Sequence, residues 1–305
     1  MSERLKGKVA VITGAGRGLG RGEALAMAAE GAKIVVNDLG GDIDGSGASI
    51  SPAGEVVKEI KALGGEAVAN HDSVATSEGG AGIVQTAIDA FGRIDILVNN
   101  AGILRDRMIY NMSNEEWEAV MKVHLYGHFY TTRQACIHFR EQRSGRIINT
   151  SSVAGLGETF GQANYGAAKE GIVGFTRQVA GDMGRYGVTC NAVRPTGATR
   201  LVVTDQLKAQ WERAGRLEEF LANTTKYSPD DVAPMVVWLA SDAAAHVNGR
   251  IFFVETGTIA LYSDPVKERA IVKDKGFTVD ELFDFGANVL CGGLVNPHPP
   301  KESKK

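Results

Sequence analysis

The segment "KVAVITGAGRGLGRGEALAMAAEG", residues 8–31, decides the fold. Its first six residues form a short apolar run of the kind that suits a strand covered on both faces. The run stops at "TGAGRGLG" (13–20), and a helical pattern, "GRGEALAMAAEG", opens from the same glycines. The form G-x-G-x-x-G does not fit this turn, because Leu19 stands five residues after Gly14 and Arg21 five after Gly16. The form T-G-x-x-x-G-x-G does fit, on Gly14, Gly18 and Gly20. Glycines there permit a tight turn and close approach of the backbone to a pyrophosphate, which the helix N-terminus stabilises. A plain strand–helix connection is the blander reading. The place after a first strand favours dinucleotide binding, with Gly14, Arg17, Gly18, Leu19 and Gly20 as contacts.

Outward from this segment, strand and helix patterns alternate. Strands are expected at 8–13, "KIVVND" (33–38), "EAVAN" (66–70), "RIDILVNN" (93–100), "GRIINTSS" (145–152), "GVTCNAVRP" (187–195) and "RIFFVET" (250–256). Helical stretches such as "AGEVVKEIKALGG", "GIVQTAIDAFG", 114–142 and "PDDVAPMVVWLAS" separate them. Alternation of this kind implies a parallel sheet with right-handed crossovers. The expectation is an α/β protein: a single doubly wound Rossmann-type domain, residues 1–262, with a seven-stranded, mostly parallel sheet, plus a C-terminal extension, 263–305. Two segments interrupt the plan. Residues 39–54 read as a long polar loop, and 199–228 as an excursion of the kind that forms lids. "FTVDELFDFGANVLCGG" reads as a short amphipathic helix, and "VNPHPPKESKK" as a polar tail.

Composition narrows the function. The chain has 305 residues, 44% apolar and 23% charged, which is globular. A net charge of −3 gives no pull toward nucleic acid or anionic membrane. No apolar run reaches 18 residues, so no membrane span is expected, and the N-terminal run is too short for a signal peptide. Cys136, Cys190 and Cys291 are far apart and make no metal-ligand spacing, which fits a reduced cytoplasmic protein. "DIDGSG" (42–47) invites a calcium reading and fails it, because Ala53 stands where the twelfth-position glutamate belongs; no metal is expected. Arg105 and Arg107 in "GILRDRM" read as a solvated loop, with contact to an anionic substrate as the alternative.

Asp38 ends the second strand, 18 residues after Gly20. A carboxylate there accepts from both ribose hydroxyls and repels a 2′-phosphate, which favours NAD over NADP. Arg17 pulls the other way. "HDSV" (71–74) places Asp72, with Ser73 beside it, at the adenine amine or at a helix N-cap. "NNAG" (99–102) places Asn99, Ala101 and Gly102 against the cofactor ribose or in a simple turn.

"SSVAGLGETFGQANYGAAKEG" (151–171) sets Tyr165 and Lys169 four apart, on one helix face, downstream of Ser151 and Ser152. Singly, these are a core tyrosine, a surface lysine and a turn serine. With T-G-x-x-x-G-x-G and N-N-A-G they resemble the short-chain dehydrogenase/reductase family, over about residues 6–260. Within it, "VVNDLGG", "AVANHDSV", "FGRIDILVNNAGILRDRM", "KVHLYGHF" and "GQANYGAAK" look like the dehydrogenase portion of the peroxisomal multifunctional enzyme type 2 group. That group oxidises D-3-hydroxyacyl-CoA thioesters, and some of its members are described as 17β-hydroxysteroid dehydrogenases.

The resemblance implies NAD-dependent interconversion of a secondary alcohol and a ketone, with a 3-hydroxyacyl-CoA as the leading substrate. Ser152 then holds the substrate oxygen, with Ser151 as the fallback. Tyr165 exchanges the proton, and Lys169 supports it while holding the nicotinamide ribose. Pro195 and Thr199 of "RPTGAT" fall where the family binds the nicotinamide carboxamide. His124 stands where the family carries an asparagine, whose usual work is a water held on the backbone carbonyl; a carbonyl survives the change of side chain. Phe160 and Gln162, just before Tyr165, line the substrate pocket on this reading. Family members are homodimers or homotetramers through helices near 115–142 and 163–184. A free phenol titrates near 10, so roughly one in a thousand is ionised at pH 7. A nearby ammonium and a positive nicotinamide favour the phenolate, and a shift of about three pH units needs about 4 kcal/mol. The competing readings are a hydroxysteroid or other bulky alcohol dehydrogenase or ketoreductase, and a cofactor-sensing protein without chemistry.

Overall fold

The computed structural model describes residues 3–49, 51–157, 159–197 and 205–298, so Thr199 and the tail from 299 lie outside the described residues. The strands are β1 (Val9–Thr13), β2 (Lys33–Asn37), β3 (Ala67–Asn70), β4 (Ile96–Asn99), β5 (Gly145–Thr150), β6 (Val188–Pro195), β7 (Ile251–Glu255) and β8 (Thr258–Leu261). The helices are α1 (Gly18–Ala29), α2 (Ser51–Ala62), α3 (Ser77–Phe91), α4 (Asn114–Met121), α5 (Gly127–Gln142), α6 (Ala163–Gly184), α7 (Asp205–Arg213), α8 (Leu217–Thr225), α9 (Ala233–Ala240) and α10 (Val279–Phe285).

Alternation along β1 explains the layers. Ala10 and Ile12 pack with Ala24 and Met27 of α1, Val56 and Ile60 of α2, and Val236 and Leu239 of α9. Val9 and Val11 face the opposite way, toward Ile83 of α3, Phe139 of α5 and Val179 of α6. Both faces of the sheet are therefore covered, as period-two side chains on a parallel sheet require. The order is β3-β2-β1-β4-β5-β6-β7-β8, and only β7–β8 is antiparallel. Strand order reverses between β1 and β4. In an open parallel sheet that reversal leaves a crevice outside the carboxyl ends of the strands, where ligands bind.

The sheet has eight strands rather than seven. Glu255 pairs with Thr258 across a two-residue turn in which Gly257 has φ +77°, and β8 returns along β7. All four β8 residues are exposed, so the run carries no burial pattern to announce it. Residues 39–54 are not all loop either, since α2 begins at Ser51. The long excursion holds α7 and α8, with Trp211 stacked on Phe220 at 5.4 Å between centroids.

Between α4 and α5 the helix does not stop. Residues Lys122–Tyr126 form a π-helical turn, the one-residue widening of an α-helix that frequently marks a functional site. The chain divides into two compact units, Met1–Tyr262 and Ser263–Lys305. In the second, α10 opens with a capping box between Thr278 and Glu281, and Lys273 pairs with Glu281. Among the described residues, no helix is long and apolar enough to cross a membrane.

Candidate active site

Three parallel strands end in register at Thr13, Asn37 and Asn70, so the residues after them share one rim of the crevice. The turn after β1 takes φ +64° at Gly14 and +53° at Gly18, values a side chain rarely adopts. A Cβ on Gly20 would fall 2.5 Å from the Gly14 carbonyl, so the turn has no room for one. Exposed Arg17 occupies the N-cap of α1 without making a side-chain cap, which leaves the first-turn amides to an anion. The carboxylate of Asp38 lies beside this turn. Gly16 N donates to its Oδ2 at 2.8 Å and Gly40 N to its Oδ1 at 2.7 Å, so it is aimed by the backbone. Gly16 was not singled out in the sequence, yet a Cβ there would come 2.7 Å from that same oxygen.

The segment after β4 locks the turn. Asn100 Nδ2 donates to the carbonyls of Thr13 (3.0 Å) and Gly14 (3.1 Å), and Asn100 N and Ala101 N donate to Thr13 Oγ1. Ala101 also lies 2.8 Å from where a Gly14 Cβ would be. Asn99 does not offer its side chain to the crevice. Its amide is buried, donating to Thr132 and Asn149 and accepting from Thr131 Oγ1 at 2.6 Å. Gly102 is required by His124, whose ring would sit 2.5 Å from a Cβ there. Asp72 is no N-cap: Thr76 caps α3, while Asp72 Oδ2 accepts from Asn70 Nδ2 at 2.8 Å. Ser73 Oγ accepts from Ala75 N. Pro195 closes β6, and Gly197 approaches Leu19 of α1, which brings the segment after β6 to the glycine turn.

The second half of the site follows β5. Ser151 is buried and its hydroxyl donates to the carbonyl of Lys169 at 2.8 Å, which takes it out of contention. Ser152 is the free-facing member: its Oγ accepts from Ala154 N at 3.2 Å and its hydroxyl draws the Tyr165 phenol's titration down. Lys169 is buried, donates from Nζ to the Thr150 carbonyl at 2.6 Å, and lies 5.5 Å from the centroid of the Tyr165 ring. Helical spacing thus does bring the two side chains to one place. In the protein alone, burial governs the titration of both. Burial pushes the Tyr165 phenol up to about 12, opposed by Ser152 and reinforced by the Asp106 carboxylate. Burial pushes Lys169 down to about 7.

His124 lies on the π-helical turn, edge-on to Tyr165 with ring centroids 5.1 Å apart. Its Nε2 meets the Ile103 carbonyl at 2.8 Å, and burial, then the Lys169 charge, hold it neutral well below the usual histidine range. Its carbonyl accepts from Nδ1 of His128 at 2.6 Å and from Gly127 N. The carbonyl that the family resemblance reserves for a water is therefore engaged by an imidazole. His128 went unnoticed in the sequence, although it stands four residues after His124 on the same helix face.

Gln162 forms the N-cap position of α6, donating to Asp106 Oδ2 at 2.9 Å. Phe160 is 80% exposed, at the rim rather than inside. Arg107 pairs with Glu116, and Arg105 Nε donates to the Asp44 carbonyl, so both arginines serve the loop framework.

Residues 8–212 match the short chain dehydrogenase family. The chain belongs to the short-chain dehydrogenase/reductase family. It is 46% identical over 256 residues to the peroxisomal multifunctional enzyme type 2 of Mus musculus, covering 84% of this chain and 32% of that one. It is 42% identical to a hydroxyacyl-CoA dehydrogenase of Mycobacterium tuberculosis, covering 88% and 84%. A crystal structure of a short chain dehydrogenase from Mycobacterium avium superposes with a TM-score of 0.80 at 44% identity, covering 97% and 98%. As a member of this family, the protein is an oxidoreductase acting on a CH–OH group with a nicotinamide cofactor. The capless helix end, the glycine cradle and the backbone-held Asp38 fit such a group.

Proposed function

We propose that the protein interconverts a 3-hydroxyacyl-CoA and its 3-oxoacyl-CoA with NAD, and that Ser152, Tyr165 and Lys169 carry the proton transfer. The observation behind this reading is the convergence of those three side chains at the carboxyl end of β5, on the crevice that the glycine turn and Asp38 rim. Bound there, an oxidised nicotinamide would accept the hydride and bring a positive charge beside the phenol. Gly14, Gly18, Leu19 and Gly20 would hold its pyrophosphate, Asp38 its adenosine ribose, and Lys169 its other ribose. Pro195 would lie by the carboxamide. Ser152 holds the substrate oxygen by hydrogen bond, and Tyr165 takes the proton as the C–H bond breaks. The thioester assignment draws support from the relatives named for hydroxyacyl-CoA chemistry. Free thiols at Cys136, Cys190 and Cys291 support a reducing compartment, the cytoplasm in this proposal.

The test follows nicotinamide absorbance over a panel of 3-hydroxyacyl-CoAs, hydroxysteroids and simple secondary alcohols, and over the matching ketones, with NAD(H) and NADP(H) in parallel. Turnover confined to steroids would remove the thioester assignment. Preference for NAD is expected, because a 2′-phosphate would meet the fixed Asp38 carboxylate. Removing that like charge in Asp38→Ala should lower the NAD-to-NADP ratio of kcat/KM by at least ~10-fold, about 1.4 kcal/mol. An unchanged ratio would show that Asp38 does not select the cofactor.

A homodimer or homotetramer is proposed on the exposed face of α5. Phe129 is 42% and Ile137 47% exposed there, with Tyr126 just before them at 40%. An apolar stripe of that size on one helix face suits association. Sedimentation should give a mass above one chain, and Ile137→Asp should lower it; a monomeric parent refutes the assignment.

A further inference from the structure

Asn164, the residue before Tyr165, is fully buried, and its side-chain amide is used completely. Oδ1 accepts from the backbone N–H of Tyr165 at 2.7 Å, while Nδ2 donates to the carbonyls of Arg105 (2.9 Å) and Glu116 (3.1 Å). Two carbonyls on one side and an N–H on the other fix the orientation of the amide. Tyr165 lies in the first turn of α6, where backbone N–H groups have no partner within the helix. Asn164 satisfies the one that belongs to the tyrosine.

The three bonds join the elements that grip the phenol ring. Ile103 of the loop after β4, Val120 of α4 and Ala168 of α6 form one apolar cluster, and Tyr165 packs against it. His124 lies edge-on to the same ring, with its Nε2 2.8 Å from the Ile103 carbonyl. Arg105 belongs to that loop and Glu116 to α4, so Asn164 ties α6 to both. The loop is braced from its other side as well. Leu104 N donates to Ile43 O at 2.9 Å, Arg105 Nε to the Asp44 carbonyl at 2.8 Å, and Arg107 N to the Gly161 carbonyl at 2.8 Å.

We propose that Asn164 is a positioning residue for proton transfer: its buried amide holds the head of α6 against the loop after β4 and against α4, and so sets where the Tyr165 hydroxyl stands. This rests on the role of Tyr165 given above. Without the amide, the Tyr165 N–H loses its acceptor in the interior, and the elements around the ring shift to recover partners. A displacement of about 1 Å at a reacting group is worth roughly 100-fold in rate.

The experiment measures kcat and KM for the best substrate of the panel in the parent, Asn164→Ala and Asn164→Ser, each with and without Tyr165→Phe. Rates are taken per cofactor-binding site, counted by fluorescence quenching, so unfolded protein does not enter them. Asn164→Ser keeps a small acceptor by the Tyr165 N–H, and it carries the test if the alanine variant does not accumulate. Asn191→Ala is the structural control. Its buried amide donates to Val247 O at 2.9 Å and accepts from Arg250 N at 2.9 Å, inside the sheet. Asn164→Ala should lower kcat and kcat/KM together by about 10- to 100-fold, with KM and cofactor affinity within about twofold of the parent. Asn191→Ala should lower the urea midpoint and leave kcat per site within about twofold. With Tyr165→Phe in place, Asn164→Ala should change turnover by less than about twofold, because the hydroxyl that it positions is gone. Parent-like kcat per site in both Asn164 variants would overturn the proposal, as would an equal fold loss with and without the Tyr165 hydroxyl, or an equal loss in Asn191→Ala. Normal turnover by Tyr165→Phe alone would instead remove the Tyr165 assignment, and this inference with it.

Discussion

A Tyr165→Phe protein is expected to bind the nicotinamide cofactor as the parent does and to lose turnover by about three to four orders of magnitude, at the upper end for one proton-transfer group. The ring keeps its packing against His124 and Lys169, so the fold and the glycine cradle are untouched. What disappears is the phenolic hydroxyl alone. The size of the loss follows from how hard the site works on that group. With the phenol near 12, only about one molecule in a hundred thousand is ionised at pH 7, and reaching half-ionisation needs about 7 kcal/mol. That exceeds the 4 kcal/mol expected from the sequence, because burial adds to the demand. Lys169, near 7, is about half charged at neutral pH. Its charge and that of the bound cofactor must supply the difference. Cofactor affinity by fluorescence quenching and turnover by absorbance check the two halves separately. Normal turnover by the variant would end the assignment of Tyr165.

The parts of the site that were legible in the sequence are those where backbone geometry dictates residue type. Gly14, Gly18 and Gly20 were visible because a tight turn admits little else, and the register of Tyr165 and Lys169 because helix periodicity is local. Apolar runs revealed the buried strands, and their alternation with helices the doubly wound plan. What stayed hidden depends on tertiary neighbours. Gly16 matters through Asp38, Asn99 turns into the core through Thr131 and Asn149, and His128 matters through the carbonyl of His124. None of those partners is adjacent in sequence except by helix register. The eighth strand was missed because an exposed edge lacks the apolar alternation that marks a half-buried one. The effect of burial on Asp106 and Tyr165 was equally invisible, since burial has no sequence signature at a polar residue.

Glu23→Gln should stabilise the protein, by an amount that grows with pH. Gly20, Glu23, Ala24 and Met27 form the buried stripe of α1, so a carboxylate occupies a position that helical spacing assigns to an apolar residue. It is 1% exposed, and neither side-chain oxygen finds a hydrogen-bond partner among the described residues. Burial accordingly pushes its carboxyl up to about 8 from 4.5. Between those values the folded chain keeps a proton that the unfolded chain has released, so this group makes stability fall as pH rises, and the loss is complete above the folded value. The full shift corresponds to about 5 kcal/mol. The parent's own curve conceals it. His124 and His128, the latter held down to about 3, bind fewer protons folded than unfolded, and they raise stability over the same acidic range. Lys169 does so from about 7 upward. These contributions cancel in the difference between variant and parent. Urea unfolding of both proteins should therefore give nearly equal stabilities near pH 4.5 and a gap that widens by about 1.4 kcal/mol per unit until pH 8. A gap that stays flat with pH would mean that Glu23 ionises freely in the folded state, through a partner or a relaxation of α1 that shields its charge.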